Sequence, residues 1–178
     1  MNEKAIHVGT FAEEVLPHLD SAYNLARWLT RNAADAEDIV QEAHLAAFRY
    51  FDGFRGGDAR AWLLAIVRNA SYRWLRKNRV RQAATEFDEA IHTGPGAADP
   101  ETLMLRQDER ERVERAIRAL PARFREVLVL RELEGLPYKA IADVTGVPIG
   151  TVMSRLSRAR DRCRQLISVE LSGVRSRT

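Results

Sequence analysis

The sequence predicts an all-α protein of two small helical domains joined by a flexible acidic linker, the second domain containing a helix-turn-helix, and three observations carry that expectation. Apolar residues recur at intervals of three and four along most of the chain, the spacing of one face of a helix. No alternating strand pattern of useful length and no internal repeat is found. Proline and glycine punctuate the segments where helices should start and stop. Four of the six prolines, Pro100, Pro121, Pro137 and Pro148, immediately precede apolar-periodic stretches. A proline is tolerated at the first helical position because its missing N–H would have no intrahelical partner there. Asp99 is placed to cap the helix that Pro100 begins. Gly135 and Gly146 follow periodic stretches and are expected in the left-handed conformation that closes a helix. Pro17 falls inside the Phe11 to Thr30 pattern and should bend or restart that helix.

Charge divides the chain into residues 1–81, 82–101 and 102–178. The first part ends in fourteen residues, Arg68 to Arg81, without an acid. The middle carries Glu86, Asp88, Glu89, Asp99 and Glu101 without Lys or Arg, and includes Gly94-Pro95-Gly96, the look of a linker. Beyond it, dense charge and helical periodicity return.

Three segments stand out. Asp35-Ala-Glu37-Asp38-Ile-Val-Gln41-Glu42 opens a helix whose Ile39, Ala43, Ala46 and Tyr50 share one side, with Asp38, Gln41, Glu42 and Arg49 on another. Acids at a helix start are accounted for by the helix dipole alone. If they also have a function, it must be toward a basic surface on another protein, since DNA would repel them. From Asp58 to Arg81 a basic helix sets Leu63, Ile66, Val67, Ala70 and Trp74 on an expected buried stripe, with Arg68, Tyr72, Arg76 and Arg79 on another side and Asn69, Arg73 and Lys77 nearby. That is either a solvated face or a surface for unstacked nucleic acid, on which cations follow phosphates and rings or amides receive bases. The third segment is a short helix from Pro137 to Thr145, a turn at Gly146-Val147, and a long helix from Pro148 to about Leu171. The long helix carries the apolar stripe Ile149, Val152, Leu156, Ala159, Cys163 and Leu166, and a different face with Thr151, Ser154, Arg155 and Arg158, then Arg162. The pattern is a helical hairpin with a basic face or, more specifically, a helix-turn-helix whose second helix enters the major groove. There Arg pairs with guanine, and Ser or Thr contacts bases or phosphate.

Composition excludes several other classes. The chain has 178 residues, a net charge of +3, 46% hydrophobic and 30% charged residues, which is globular rather than disordered. Its apolar runs are a few residues long, against about 20 for a membrane span, and Met1 to Val8 lacks a signal-peptide core. The single Cys163 fits a reducing cytoplasm and, lying on the apolar stripe, reads as core. The scattered His7, His18, His44 and His92 suggest no metal site, and no cofactor is expected.

In combination these segments resemble the extracytoplasmic-function (ECF) group of bacterial sigma-70 family factors. Asp35-Ala-Glu-Asp-Ile-Val-Gln-Glu42 and Ala61-Trp-Leu-Leu-Ala-Ile-Val-Arg-Asn69 resemble its first domain. Leu120-Pro-Ala-Arg-Phe-Arg-Glu-Val-Leu128, Gly135-Leu-Pro-Tyr-Lys-Ala-Ile-Ala142 and Gly150-Thr-Val-Met-Ser-Arg-Leu-Ser-Arg-Ala-Arg160 resemble its second. The likeness runs in the family's order from about Phe11 to Leu166.

The resemblance implies an initiation factor that binds core RNA polymerase, directs it to promoter DNA and assists strand opening. It implies docking on the polymerase clamp helices through Asp35, Asp38, Gln41 and Glu42. Reading of the minus-ten element would fall to Asn69, Tyr72, Arg73, Arg76 and Lys77, near the loop Phe54-Arg-Gly-Gly-Asp58. Reading of the minus-thirty-five element would fall to Thr151, Ser154, Arg155 and Arg158. A cognate anti-sigma factor is a further implied partner. Met153 stands where relatives often have Lys or Arg, and the extra C-terminal domain of some subgroups is not expected. A linker of about 20 residues reaches roughly 65–70 Å, close to two turns of B-DNA at about 34–36 Å each. The alternative is an operator-binding regulator using the same helix-turn-helix without polymerase. That reading leaves the first 81 residues without a role, and such regulators usually dimerise, for which no element is evident. No nucleophile–base pair, metal cluster or phosphate-cradling loop points to an enzyme. A pure protein adaptor is disfavoured by two basic faces.

Overall fold

A computed structural model of the chain describes residues 10–82 and 100–175, with side chains over 10–78 and 108–169. Among the described residues there are helices and turns and no strand. α1 covers residues 10–15, and a 3-10 turn at Leu16–His18 leads into α2, Leu19–Thr30. That turn holds Pro17, so the expected restart occurs where proline cannot donate its N–H. α3, Ala33–Tyr50, is capped by Asn32, whose side chain accepts from the Asp35 N–H at 3.1 Å. A turn at Phe51–Gly53 follows, then α4, Ala59–Gln82. Asp58 caps α4 by accepting from the Ala61 N–H at 2.9 Å.

The second unit holds α5, Pro100–Ala119, and α6, Ala122–Leu128, which runs on into a π-helical turn at Val129–Leu133. α7 is Tyr138–Thr145 and α8 is Ile149–Arg175. Pro121, Pro137 and Pro148 stand one residue earlier than predicted. Their carbonyls accept from the N–H groups of Arg125, Ile141 and Val152 at 3.0, 3.0 and 3.1 Å. The residue flanking a helix start supplies a carbonyl to the first turn without needing its own N–H. An extended proline, as at Pro137 with ψ 154°, meets that requirement. Gly146 is left-handed at φ 66° and closes α7 by donating to the Ala142 carbonyl at 2.8 Å. The cap expected at Asp99 and most of the acidic segment 82–101 lie outside the described residues.

α2, α3 and α4 pack on one another around Leu25, Leu29, Ile39, Leu63, Leu64 and Val67, all buried. The buried side of α3 is Ala36, Ile39, Ala43 and Ala47; Ala46 is half-buried and Tyr50 is 69% exposed. The predicted stripe therefore drifts off the core at its C-terminal end, where Phe51 takes over the inward position. On α4, Ser71 joins the buried face while Ile66 and Trp74 are half-buried at its edge. The second core gathers Phe124, Val127, Leu130, Ile141, Val144, Val152, Leu156 and Ala159. Ile149 and Leu166 of the predicted α8 stripe are exposed, at 45% and 38%. α8 spans about 40 Å at 1.5 Å per residue, well beyond the short α6 and α7. The two units also meet: α4 lies against α7, and α2 against α6 and the π turn.

Candidate nucleic-acid and polymerase interfaces

α7, the Gly146 turn and the start of α8 form the predicted helix-turn-helix. Buried Val144 and Val152 lock it from inside, and Thr145 ties its hydroxyl to the Ile141 carbonyl at 2.6 Å. On the outer side of α8, Met153, Ser154 and Arg158 are exposed and Thr151 is half-buried. The Ser154 hydroxyl donates to the Thr151 carbonyl at 3.0 Å. Arg155 turns inward, its Nη1 donating to Glu126 Oε1 at 3.3 Å. Arg162 lies over the Phe124 ring, 4.8 Å from its centre.

α4 presents an outer stripe of Asn69, Arg73, Arg76 and Lys77, all exposed. The Arg73 Nη2 donates to Glu42 Oε1 on α3 at 2.7 Å. Asp38, Gln41 and Glu42 are exposed on α3 beside that stripe, whereas Asp35 is half-buried in the first turn. The acidic face of α3 continues into exposed Leu45 and Phe48, at 58% and 39%. Tyr72 is set apart from the other four α4 candidates. It is half-buried, with the Arg68 guanidinium 4.6 Å from its ring centre.

Ahead of α4, the loop through Gly56 and Gly57 runs at φ 81° and 104°, a backbone path that suits glycine. At its base Phe54 sits 5.0 Å from Trp62 and 5.8 Å from Phe51, ring centre to ring centre. Phe51 in turn meets Phe11 edge-on at 5.2 Å, so the loop stands on an aromatic base.

Two carboxylates that the sequence pattern did not single out join the units. The Glu126 side chain is fully buried: Arg68 Nε donates to its Oε2 at 2.9 Å, opposite Arg155 on its Oε1. Burial pushes the Glu126 carboxyl pKa up, and the two guanidiniums oppose that shift. The Tyr72 hydroxyl is buried beside Glu126, and its pKa is pushed well up, first by burial and then by the charge of Glu126. Glu134 pairs with Arg60 of α4 and accepts from Asn24 Nδ2 of α2 at 3.3 Å. Arg125 reaches the Leu29 carbonyl at 3.4 Å. The only prior signal was that Glu126 interrupts the apolar run around Phe124 to Leu130, as a partnered buried carboxylate would. Elsewhere, a cavity of about 330 Å³ opens between α5, the π turn and α8, walled by Val113, Ile117, Leu128, Leu133 and Cys163. Cys163 is half-buried at its wall, and burial raises its thiol pKa, which makes it a weak nucleophile.

The comparisons follow the same division. The family model for sigma-70 region 2 matches residues 15–81, and that for sigma-70 region 4 matches residues 110–163. Both are parts of RNA polymerase sigma factors. The ECF RNA polymerase sigma-E factor of Escherichia coli is 39% identical over 137 residues, covering 72% of each chain. The ECF RNA polymerase sigma factor SigE of Mycolicibacterium smegmatis is 34% identical over 159 residues, 88% of this chain and 61% of that one. Among solved structures, the sigma factor RpoE from Bartonella quintana, in complex with the anti-sigma factor NepR, is similar at a TM-score of 0.72. It is 32% identical, covering 90% of this chain and 98% of that one. CnrH in complex with the cytosolic domain of CnrY is similar at 0.63 and 25% identity, covering 89% and 88%. The chain belongs to the ECF group of sigma-70 family factors. It is a transcription initiation factor that binds core RNA polymerase and directs it to promoters; sigma factors are not themselves enzymes. No described helix is long and apolar enough to cross a membrane.

Proposed function

We propose that residues 1–81 dock on core polymerase and read and open the minus-ten element, that residues 82–101 are the acidic linker, and that residues 102–178 read the minus-thirty-five element. The observation that carries this division is the arrangement of α3 and α4. An acidic face, Asp38, Gln41 and Glu42, lies directly beside a basic one, Asn69, Arg73, Arg76 and Lys77. Such neighbours suit two partners at once, a basic protein surface and a nucleic acid. In this reading Asp35 contributes charge at the edge of the docking face and caps no partner directly. On α8, Ser154 and Arg158 make the outward contacts in the groove, Thr151 supports them from the rim, and Arg155 contributes once it is free to turn outward.

RpoE was solved with the anti-sigma factor NepR, and CnrH with the cytosolic domain of CnrY. The likeness to RpoE supports a cognate anti-sigma factor for this chain, and the initiation role supports action in the cytoplasm, where polymerase works. The test is transcription of genomic DNA by core polymerase with and without the purified chain, mapping transcript 5′ ends. New start sites sharing one sequence element near minus ten and a second near minus thirty-five are expected. Start sites unchanged by the chain would overturn the reading.

A further inference from the structure

We infer that Met153, with Ile149 beside it, reads a thymine methyl group in the minus-thirty-five element, so that the factor prefers one A·T pair for its C5-methyl. The inference rests on α8 being the helix that reads that element. α8 starts at Ile149, where the Pro148 carbonyl accepts from the N–H groups of Thr151 and Val152 at 2.9 and 3.1 Å. In a helix-turn-helix the N-terminal residues of the second helix meet the base edges. Here those residues include two large apolar side chains that the core leaves uncovered, Ile149 at 45% exposure and Met153 at 53%. Set four apart, they stand one above the other on the helix surface. Buried Val152 and Leu156 already fill the inward side of the same turns.

The surroundings indicate which partner the pair meets. Ser154 and Arg158 are exposed alongside, and no acid occurs from Ile149 to Arg158, so this face accepts phosphates close by. Gly150, also exposed, is not required by the fold: its backbone is not left-handed, and a Cβ there would meet nothing within 4 Å. Glycine within a helix weakens it, while its missing side chain lets a partner come close to the backbone, as a helix seated in a groove needs. In the major groove the apolar group that distinguishes base pairs is the thymine C5-methyl, the other distinguishing groups being hydrogen-bond donors and acceptors. Ile149 can bond to none of those, and the Met153 thioether is at most a weak acceptor. A methionine, with its flexible side chain, can settle on a methyl group from a range of approaches. Ser154 and Arg158 supply the polar contacts, and Met153 with Ile149 adds a readout that polar groups cannot make.

The test uses holoenzyme assembled from the full chain and core polymerase, bound to a promoter it transcribes. Each thymidine of the minus-thirty-five element, on either strand, is replaced in turn by deoxyuridine, which removes the methyl and leaves the pairing edge intact. One position is expected to lose about fourfold in affinity, the worth of one buried methyl group. Met153→Gln, of similar length with a polar end, is expected to bind both forms equally, and Met153→Leu to keep most of the difference. Circular dichroism should show the fold unchanged in both, since the side chain is exposed. Absence of any methyl-sensitive position in the wild type would overturn the inference. So would a methyl effect undiminished in Met153→Gln combined with Ile149→Ala, which would give the contact to another residue. Ser154→Ala with Arg158→Ala separates the two levels of the argument. If that variant loses discrimination at the element while no methyl effect is found, this inference alone fails. If it discriminates as the wild type does, the assignment of α8 as the reading helix fails, and the inference with it.

Discussion

α4 and α8 carry comparable numbers of arginines and deploy them differently. On α4 the inward arginines, Arg60 and Arg68, cross to the other unit, and the outer stripe shares a single ion pair with α3. On α8 the inward Arg155 stays within its own unit, Arg160 pairs with Glu132, and Arg158 stands exposed next to Ser154. The lesson is that a basic helix is not a uniform DNA surface. Which arginines are available to a ligand is decided by carboxylates on neighbouring helices, and two of those, Glu126 and Glu134, lie far from both helices in sequence.

The comparison can be broken first at the acidic face. Asp38→Arg with Glu42→Arg sets like charge against a basic partner and removes the mate of Arg73. Loss of polymerase affinity by several kcal/mol, on the order of 100-fold or more, is expected in a binding titration with the fold retained by circular dichroism. Next comes Arg155→Ala, which leaves buried Glu126 with one fewer partner. Denaturant unfolding should show a loss of about 1–3 kcal/mol, since Arg68 still pairs with Glu126, so reduced promoter use by this variant would not by itself report a base contact. Ser154→Ala and Arg158→Ala sharpen the contrast, because both side chains are exposed. Each should cost about 1–3 kcal/mol of discrimination at the minus-thirty-five element if it touches a base, with the denaturation midpoint unchanged. The smallest effect is at Tyr72. Its phenol is held protonated by burial and by Glu126, so its folded pKa lies above the unfolded value. The resulting stability is fully present below the ordinary tyrosine pKa of 10.0 and is lost as pH rises through the folded value. Phenolate absorbance should show one of the four tyrosines titrating late or only on unfolding, and Tyr72→Phe should remove that component.

Local signals made most of the fold legible. Proline and glycine marked the helix ends to within a residue, because the backbone conformations they favour are set locally. The helix-turn-helix followed from spacing alone. Face assignments were correct where a stripe lies under neighbouring helices, as for Val152, Leu156 and Ala159, and drifted where a helix outruns its cover, as at Tyr50 and Ile149. The candidate site was legible as segments and less so as individual residues. Ser154, Arg158, Arg76 and Lys77 are outside as periodicity suggests, whereas Tyr72 and Arg155 are drawn inward by a carboxylate supplied from another helix. Sequence spacing along one helix cannot report such a partner, since the pairing exists only once the helices pack.

The central claim is that this chain joins core RNA polymerase, and size-exclusion co-elution of the purified chain with bacterial core polymerase, without DNA, tests it most directly. A one-to-one complex is predicted. A chain that elutes apart from polymerase, as a dimer that shifts duplex DNA unaided, would contradict the account and favour an operator-binding regulator.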